Sequence, residues 1–401
     1  DAQGGGGLGM GFDLKGIQAE LQRRGFDGWL LYDILHRDPI AYRVLKLVPG
    51  MTKRRWFYFI PAQGAPQKLV HRVEPRRLDA LPGDKHDYAA WGELHEKLKL
   101  LLGSGKKVAM QYSPLNNIPY VSLADAGTVE LVRSLGKEVV SSGDLVQQFE
   151  ARWTKEQYEL HKAAGRAVDE ILPATFAEIG AAVKEGRKVT EHSLQQWVLK
   201  QFQARGLTTE DAPIVAVNEH SSDPHFEPSP ENRRAIAAGD WVLLDIWGKL
   251  KQPGSVYYDI TWVGYVGDSV PPRYHEIFDV VRAARDAAVE FVANAVAKGE
   301  TIRGYQVDDV ARRVVRRHGY GDAFVHRTGH SIGEEVHSTG ANMDNLETHD
   351  DREIIPGTCF SVEPGIYLRD FGVRLEVDVY VGERQAGVTG AVQKEIVRIK
   401  A

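Results

Sequence analysis

Four acidic side chains lie in otherwise apolar, strand-like stretches of the second half of the chain. Asp245 stands in WVLLDIW, Asp259 in VYYDITWV, Glu363 in FSVEPG and Glu376 in GVRLEVD. Because burying a lone carboxylate is energetically expensive, each of these side chains must be paired, hydrogen-bonded or bound to a metal ion. One such residue is typical of a paired carboxylate near a turn. Four of them in one region indicate a metal site.

Histidines are concentrated in the same region. His326, His330 and His337 fall within the segment HRTGHSIGEEVH, where glycines on both sides of His330 allow close approach of the backbone. His225 stands upstream in the loop-like stretch DPHF and is a weak signal by itself. A lone histidine is more often structural or on the surface. His330 differs because glycines flank it and two other histidines lie nearby, so we expect it to be the imidazole ligand.

Strand parity indicates which neighbours share the site. Side chains alternate between the two faces of a strand, so Asp259 shares a face with Thr261, and Glu376 with Arg374 and Asp378. An arginine two residues before a ligand carboxylate can orient that carboxylate or contact substrate. The alternative for Arg374 is an ordinary surface ion pair.

Charge counting favours two metal ions. The four carboxylates carry four negative charges, which two divalent ions neutralise while His330 stays a neutral ligand. An oxygen-rich set with one imidazole suits Mn²⁺ or Co²⁺, and less often Zn²⁺. A two-metal centre about 3.5–4 Å across activates a bridging water and polarises a carbonyl. The loop histidines would then transfer protons or bind the tetrahedral intermediate.

The elements that must position these residues fall into two units, residues 14–150 and 151–401. The first unit alternates helical and strand-like patterns, which is typical of an α/β domain. In the second unit, helix, helix and strands occur in this order twice, at a period of roughly 120 residues, which indicates two related halves. The patterns predict helices at 17–24, 93–102, 154–185, 191–205, 274–297 and 307–318, and strands at 28–32, 55–60, 107–111, 213–217, 241–247, 256–266 and within 358–399.

Composition excludes several classes of protein. Of 401 residues, 43% are hydrophobic and 26% charged, which argues against a disordered chain. The formal net charge of −5 offers no global basic field for nucleic acid, and no apolar run is long enough for a membrane span. Cys359 is the single cysteine, so an internal disulfide and a cysteine-based zinc site are excluded. We expect a soluble protein of a reducing compartment, the cytoplasm.

The first thirteen residues are rich in glycine. They have neither a basic region nor an apolar core of the kind that signal peptides carry. We expect residues 1–13 to be a flexible tail or a tag remnant, while cleavage of a signal before Asp1 stays open.

The order of the acidic residues and histidines resembles that of the pita-bread metallopeptidases, which include aminopeptidase P, prolidase and methionine aminopeptidase. The resemblance spans about residues 151–400. The preceding unit resembles the creatinase-like N-terminal domain of aminopeptidase P and prolidase, which methionine aminopeptidases lack. The resemblance implies an α/β N-terminal domain at 14–150, and an α+β pita-bread catalytic domain of duplicated helix-helix-strand units at 151–401.

The resemblance also implies roles for individual residues. Glu363 matches the carboxylate assigned as base for the bridging water, and it is one of five matching metal ligands, which are Asp245, Asp259, His330, Glu363 and Glu376. His225 matches a substrate-side histidine and His337 one that contacts the scissile bond. His326 and Arg374 match positions beside the site in proline-specific members.

The implied reaction is cleavage of the bond between an N-terminal residue and proline. The implied cofactors are two divalent ions, with Mn²⁺ first. The implied substrate is a proline-containing dipeptide or short peptide, with no nucleic acid or membrane partner. The family pattern further implies a homodimer or homotetramer.

Two departures from the family pattern bear on the site. The two aspartates are 14 residues apart, which is longer than usual. The insert KLKQPG falls where a hairpin loop would be, so we expect a longer loop between intact strands. Many prolidases hold the dipeptide's carboxylate with an arginine. On gapless counting, the matching position here is His349, with Arg352 nearby. Longer Xaa-Pro peptides therefore stay possible substrates.

Two other functions stay open on the sequence alone. The first is a pita-bread hydrolase or lyase that acts on a small non-peptide metabolite, as creatinase does. Creatinase dispenses with metal, however, whereas all five ligand types are present here. The second is a catalytically inactive binding module, although such a protein gains nothing from burying four carboxylates.

Overall fold

The computed structural model describes residues 11–401, and the chain divides between Glu150 and Ala151 into two compact units. Of the predicted tail, residues 1–10 lie outside the described residues. Phe12 packs edge-on against Tyr58, with ring centroids 6.0 Å apart, and the Asp13 carboxylate caps the first helix. These two residues therefore belong to the folded unit and not to a tail.

The N-terminal unit is a mixed six-stranded sheet with helices on both faces. Its helices and strands in chain order are α1 (Leu14–Arg24), β1 (Gly28–Asp33), α2 (Pro39–Leu45), β2 (Trp56–Pro61), β3 (Gln67–His71), β4 (Asp84–Tyr88), α3 (Trp91–Leu102), β5 (Lys107–Met110), α4 (Ala126–Ser134), β6 (Glu138–Ser141) and α5 (Gly143–Val146).

Alternation along β1 explains the two helical layers. The strand order is β4-β3-β2-β1-β5-β6, with β1 antiparallel to β2 and parallel to β5. Successive side chains of a strand point to opposite faces. Trp29 and Leu31 accordingly join the core under α1 and α2, whereas Leu30 and Tyr32 join the core under α3 and α4. The α/β prediction for this unit is confirmed.

The second unit contains two helix pairs and three groups of strands. Its elements in chain order are α6 (Lys155–Lys184), α7 (Glu191–Ala204), β7 (Leu207–Thr208), β8 (Ile214–Val217), β9 (Trp241–Leu250), β10 (Tyr258–Val266), α8 (Pro272–Lys298), α9 (Gly304–Arg317), β11 (Ser331–Ile332), β12 (Cys359–Val362), β13 (Gly365–Tyr367), β14 (Gly372–Arg374), β15 (Val377–Val381), β16 (Ala386–Val388) and β17 (Val397–Ile399).

The predicted order of helix, helix and strands occurs twice in this unit. The first pair, α6 and α7, packs over one face of β9 and β10, and the second pair, α8 and α9, packs over strands β12 to β15. Thr154 and Gln157 form the predicted capping box at the start of α6. None of the helices in residues 11–401 combines the length and the apolar character needed to cross a membrane.

The insert between the two aspartates lengthens a hairpin and leaves its strands intact. Strands β9 and β10 are antiparallel, with Thr261 opposite Asp245 and Asp259 opposite Trp247. The pairing continues to Gly248 and Tyr258, so the extra residues lie beyond the last paired position. The prediction of a longer loop between intact strands is confirmed.

Candidate metal centre

The hairpin β9–β10 brings the two aspartates together. The Asp245 carboxylate accepts a hydrogen bond of 2.7 Å from the guanidinium of Arg374. The backbone N–H of Asp259 donates to Asp378 over 2.9 Å. Both aspartate side chains are buried. The strands therefore hold two carboxylates in one buried place and leave each of them an oxygen for another partner.

His330 and Glu363 come from the second half of the unit. Gly329 lies so close to strand β12 that a Cβ there would meet the Ser361 carbonyl oxygen at 1.8 Å. This glycine lets the His330 backbone reach the Ser361 hydroxyl, to which it donates over 2.9 Å. The same hydroxyl donates to Glu363 Oε1 over 3.0 Å. Ser361 thus fixes the distance between His330 and Glu363.

Glu376 joins the same cluster through Thr261. The Thr261 hydroxyl donates to Glu376 Oε2 over 2.7 Å, and the Glu376 N–H donates to the Thr261 carbonyl over 3.1 Å. Both side chains are buried, Thr261 completely. The predicted shared face of Asp259 and Thr261 is therefore used to hold Glu376.

The donor atoms of this cluster lie at distances that suit a shared cation. His330 Nε2 is 3.5 Å from Asp259 Oδ2 and 3.3 Å from Glu363 Oε1. Donor atoms of Asp259, His330 and Glu376 all lie within 4.8 Å of one another. The structure brings all five predicted ligands into one buried cluster, which this network of contacts connects.

Unsatisfied oxygens show that the cluster fits metal ions. Asp245 Oδ1, Asp259 Oδ1 and Glu376 Oε1 are buried and have no hydrogen-bond partner among the described residues. Buried polar atoms are almost always satisfied by a protein group, a water or an ion. Three predicted ligands therefore each offer one free oxygen, which is the donor type that Mn²⁺ and similar ions prefer.

Electrostatics in the cluster have the same cause throughout. Burial, together with the charges of the neighbouring carboxylates, raises the pKa of Asp259 and Glu376 well above the ordinary values. Burial also raises the pKa of Glu363 to about 7, against the lowering effect of Arg374. Burial and the neighbouring His337 lower the pKa of His330 well below its ordinary value. Burial thus disfavours the ionised form of these carboxylates, and bound cations would stabilise that form.

A directed chain of hydrogen bonds runs from Arg374 to His326. Arg374 donates to the Tyr367 hydroxyl over 2.9 Å, and that hydroxyl lies 2.6 Å from His326 Nε2. His326 Nδ1 lies 2.6 Å from the carbonyl oxygen of Arg327, which can only accept. Nδ1 therefore carries the proton, and Nε2 accepts from the tyrosine. Burial lowers the pKa of His326 to about 3, so the ring is neutral.

The two remaining histidines lie beside the cluster. The ring of His337 stands perpendicular to that of His330, with centroids 4.3 Å apart. Burial, with smaller effects from Arg327 and His225, lowers the pKa of His337 to about 4. The exposed His225 lies close enough for its charge to lower the pKa of both His326 and His337. All four predicted histidines therefore lie around one site.

Arg352, which lies near the gapless position, does not offer its guanidinium to a substrate carboxylate. Its guanidinium is buried and donates to both oxygens of Asp350 and to the carbonyls of Thr339 and Gly340. These contacts use the guanidinium to fix its own loop. His349 is exposed, with its ring centroid 4.6 Å from that of Tyr305, and its Nδ1 lies 2.8 Å from the Asn345 side-chain oxygen, so its contacts too are within α9 and its own loop.

Sequence reasoning missed Tyr367 as a site residue. A Cβ at Gly365 would meet the Tyr367 hydroxyl at 2.5 Å, so this glycine makes room for the tyrosine. A glycine in a short strand two residues from a tyrosine was the available signal, because glycine in strands often marks a close approach. Asp378, which supports Asp259, was seen only as a neighbour of Glu376.

Comparisons with known proteins agree with this geometry. The model of metallopeptidase family M24 matches residues 159–383. A Xaa-Pro dipeptidase of Pyrococcus furiosus is 27% identical over 307 residues, which is 75% of this chain and 82% of that protein. The dipeptidase PepE of Mycobacterium ulcerans superposes with a TM-score of 0.71 at 24% identity, covering 96% of both chains. A dipeptidase of Pyrococcus horikoshii OT3 superposes with a TM-score of 0.63 at 25% identity, covering 96% and 99%.

These likenesses confirm the predicted pita-bread fold. The family match includes every one of the five predicted ligands and spans more than half of the chain. A divalent-metal centre is therefore expected of the family as well as of the geometry. The chain belongs to metallopeptidase family M24.

Proposed function

We propose that this protein hydrolyses the bond between an N-terminal residue and proline in dipeptides and short peptides. The proposal assigns two divalent metal ions to Asp245, Asp259, His330, Glu363 and Glu376. The observation that carries it is the set of buried ligand oxygens without partners in the described part of the chain. Relatives named Xaa-Pro dipeptidase support the substrate class.

The donor set favours Mn²⁺, with Co²⁺ or Zn²⁺ as the alternatives. Carboxylate oxygens dominate the set and only one imidazole joins it, which is the composition that hard divalent ions prefer. Ions bound there would lower the pKa of a water molecule and polarise the scissile carbonyl.

Glu363 is proposed as the general base. The Ser361 hydroxyl holds its Oε1, and Arg374 Nε lies 3.8 Å from its Oε2. Its place between the Ser361 hydroxyl and Arg374, next to the other proposed ligands, suits a carboxylate that takes up a proton from the attacking water. Arg374 binds Asp245 and lies beside Glu363, so it keeps two carboxylates in a fixed relation.

The histidines are proposed to act as neutral imidazoles. His337 has a pKa near 4 and stands against His330, so its ring can donate one N–H to negative charge that develops on the substrate. His326 is locked by Tyr367 and the Arg327 carbonyl, so it orients the hydrogen-bond chain to Arg374. His225 is exposed on its loop and is proposed to contact substrate from the open side.

Peptides longer than dipeptides are proposed as substrates as well. The buried ion pair with Asp350 occupies Arg352, which removes the nearest candidate for a fixed carboxylate clamp. Besides Arg374, which is bound to Asp245, Arg327 acts on the site, since its charge lowers the pKa of Glu363, His330 and His337. A dipeptide's carboxylate would be attracted by this field without excluding a longer chain.

The proposal extends to the whole protein. Residues 14–150 are assigned as a creatinase-like N-terminal domain and residues 151–401 as the catalytic domain. A cytoplasmic location is proposed on the single cysteine and the composition, and a homodimer or homotetramer on the family resemblance.

A substrate panel tests the proposed function. Protein stripped of metal and reloaded with Mn²⁺ is assayed on Ala-Pro, Ala-Pro-Ala, Ala-Ala and creatine. We expect hydrolysis of the two proline peptides, little hydrolysis of Ala-Ala and none of creatine. Turnover of creatine in place of both proline peptides would overturn the proposal.

A further inference from the structure

We infer that Asp308 and Arg312 on helix α9 are positioning residues that fix, through Thr328, both the histidine loop and Glu363. Neither side chain belongs to the metal centre, and neither stands out in the sequence. The inference rests on the proposed function, because it concerns the geometry of the base and the histidines that the reaction uses.

The Asp308 carboxylate accepts hydrogen bonds from three other residues. It is completely buried, and its Oδ1 accepts from both the backbone N–H and the hydroxyl of Thr328, over 3.1 Å and 2.6 Å. Its Oδ2 accepts from the backbone N–H of Asn345 over 2.9 Å. One carboxylate on α9 therefore binds both loops, which also pair directly with each other at Gly329 and Met343.

Arg312 lies one turn further along α9 and pairs with Asp308. Its guanidinium pairs with Asp308 through Nη2 at 2.8 Å and Nε at 3.2 Å. It also donates to the carbonyls of Phe324, over 2.9 Å, and His326, over 2.7 Å, and lies 4.0 Å above the Phe324 ring. Ion pairs at this spacing on helices are usually exposed and weak. This buried pair uses its hydrogen bonds to hold the loop that begins at Phe324.

Thr328 connects Asp308 to Glu363, the proposed base. Its carbonyl accepts the Glu363 N–H over 2.7 Å, so the atom that fixes the base belongs to the residue that Asp308 holds twice. Gly329 and His330 follow directly in the chain, and Arg312 holds the backbone of His326 on the other side. The pair on α9 thus sets Glu363 and two histidines relative to one another.

A buried threonine elsewhere provides a matched control. Thr175 on α6 is also completely buried, and its hydroxyl donates over 2.7 Å to the Ile171 carbonyl. Thr328→Val and Thr175→Val each remove one buried hydroxyl while keeping the side-chain shape. Thr328→Ser restores the hydroxyl. Arg312→Lys keeps the charge beside Asp308, but a single ammonium cannot hold the carbonyls of both Phe324 and His326.

Two readouts test the inference. In the Mn²⁺-loaded enzyme, we expect Thr328→Val to lower kcat for Ala-Pro about 10–100-fold with KM and metal content unchanged, because supporting hydrogen bonds typically contribute that much. We expect Thr328→Ser and Thr175→Val to stay close to wild type. In metal-free protein, amide hydrogen exchange of residues 324–330 and 361–365 should be about tenfold faster in Thr328→Val and Arg312→Lys.

The outcomes separate this inference from the proposed function. A wild-type enzyme without activity on Xaa-Pro peptides refutes the proposed function, while the exchange experiment still tests the positioning. An active wild type with unchanged kcat and unchanged exchange in Thr328→Val and Arg312→Lys overturns the positioning. A loss of activity in Thr175→Val equal to that in Thr328→Val would also overturn it, since any buried hydroxyl would then have the same effect.

Discussion

Replacing Thr261 with valine should weaken metal binding although all five predicted ligands stay in place. The Thr261 hydroxyl donates to Glu376 Oε2 over 2.7 Å, while Oε1 of the same carboxylate is left for another partner. Valine has nearly the same shape and cannot donate. In Thr261→Val neither oxygen of the buried Glu376 has a hydrogen-bond partner among the described residues, so the carboxylate is free to rotate away.

The size of the effect follows from the charge state of Glu376. A hydrogen bond to an ionised group contributes about 1.5–3 kcal/mol. In the metal-free protein the raised pKa of Glu376 favours the protonated form, which loses less when the hydroxyl is removed. The metal-bound form needs the ionised carboxylate and loses more. The expected change is a metal dissociation constant raised about 10–100-fold, or about 1.4–2.8 kcal/mol.

The assay is a titration of stripped protein with Mn²⁺ by calorimetry, for wild type, Thr261→Val, Thr261→Ser and the control Thr175→Val. Serine should bind metal nearly as tightly as threonine, and the control should match wild type. At saturating metal, Thr261→Val should recover most of its kcat. Wild-type metal affinity in Thr261→Val would refute the reasoning that the hydroxyl reserves one Glu376 oxygen for the metal.

Four further predictions follow from the site and its surroundings. Asp259→Asn should abolish turnover and lower the metal content, as measured by elemental analysis, because an amide cannot replace a buried ligand charge. His337→Ala should keep the metal content but lower kcat about 10²–10⁴-fold, as expected for a proton-transfer or intermediate-binding group. Arg327→Gln should raise KM for Ala-Pro roughly tenfold more than for Ala-Pro amide, since only the former carries a carboxylate. Burial lowers the pKa of His161 from its ordinary 6.5 to about 4, so between these values the unfolded chain binds a proton that the folded protein does not. The free energy of unfolding should therefore be highest above pH 6.5 and fall by about 1.4 kcal/mol per pH unit as the pH is lowered from 6.5 to 4.

Each of these predictions has a result that contradicts it. Unchanged turnover in Asp259→Asn would end the two-metal proposal. Loss of metal in His337→Ala would make that residue a ligand. Equal changes for the acid and the amide would remove Arg327 from substrate binding. Denaturation of His161→Gln with the same pH slope as wild type between pH 4 and 6.5 would show that another group titrates there.

The parts of the site that lie on strands could be predicted from the sequence, because a carboxylate in an apolar strand has few explanations. Asp245 and Asp259 were found in this way, and the insert between them fell into the hairpin loop as expected. Tyr367 was missed, because Gly365 indicates only a close approach, while the contact of Tyr367 with Arg374 depends on the turn that joins β13 and β14. The partners of Arg352 could not be predicted for a similar reason, since nothing in the sequence shows that Asp350 binds its guanidinium.

The fold was predictable where periodicity was strong. The long helices α6 and α8 were predicted within two residues at each end, since caps and apolar stripes mark them. Strand β4, with the sequence DKHDY, was missed because four of its five residues are exposed and only pairing with β3 defines it. Helix α2 has a capping Asp38 and a proline at its start, but its seven residues are too few for periodicity to show.

The most direct test is the metal content of the active enzyme. Stripped protein is titrated with Mn²⁺ while bound metal per chain and hydrolysis of Ala-Pro are measured on the same samples. We predict that activity rises with occupancy and reaches its maximum as the second ion binds, giving two ions per chain. Full hydrolysis of Ala-Pro by the stripped protein, or maximal activity at a single ion per chain, would contradict a two-metal Xaa-Pro peptidase.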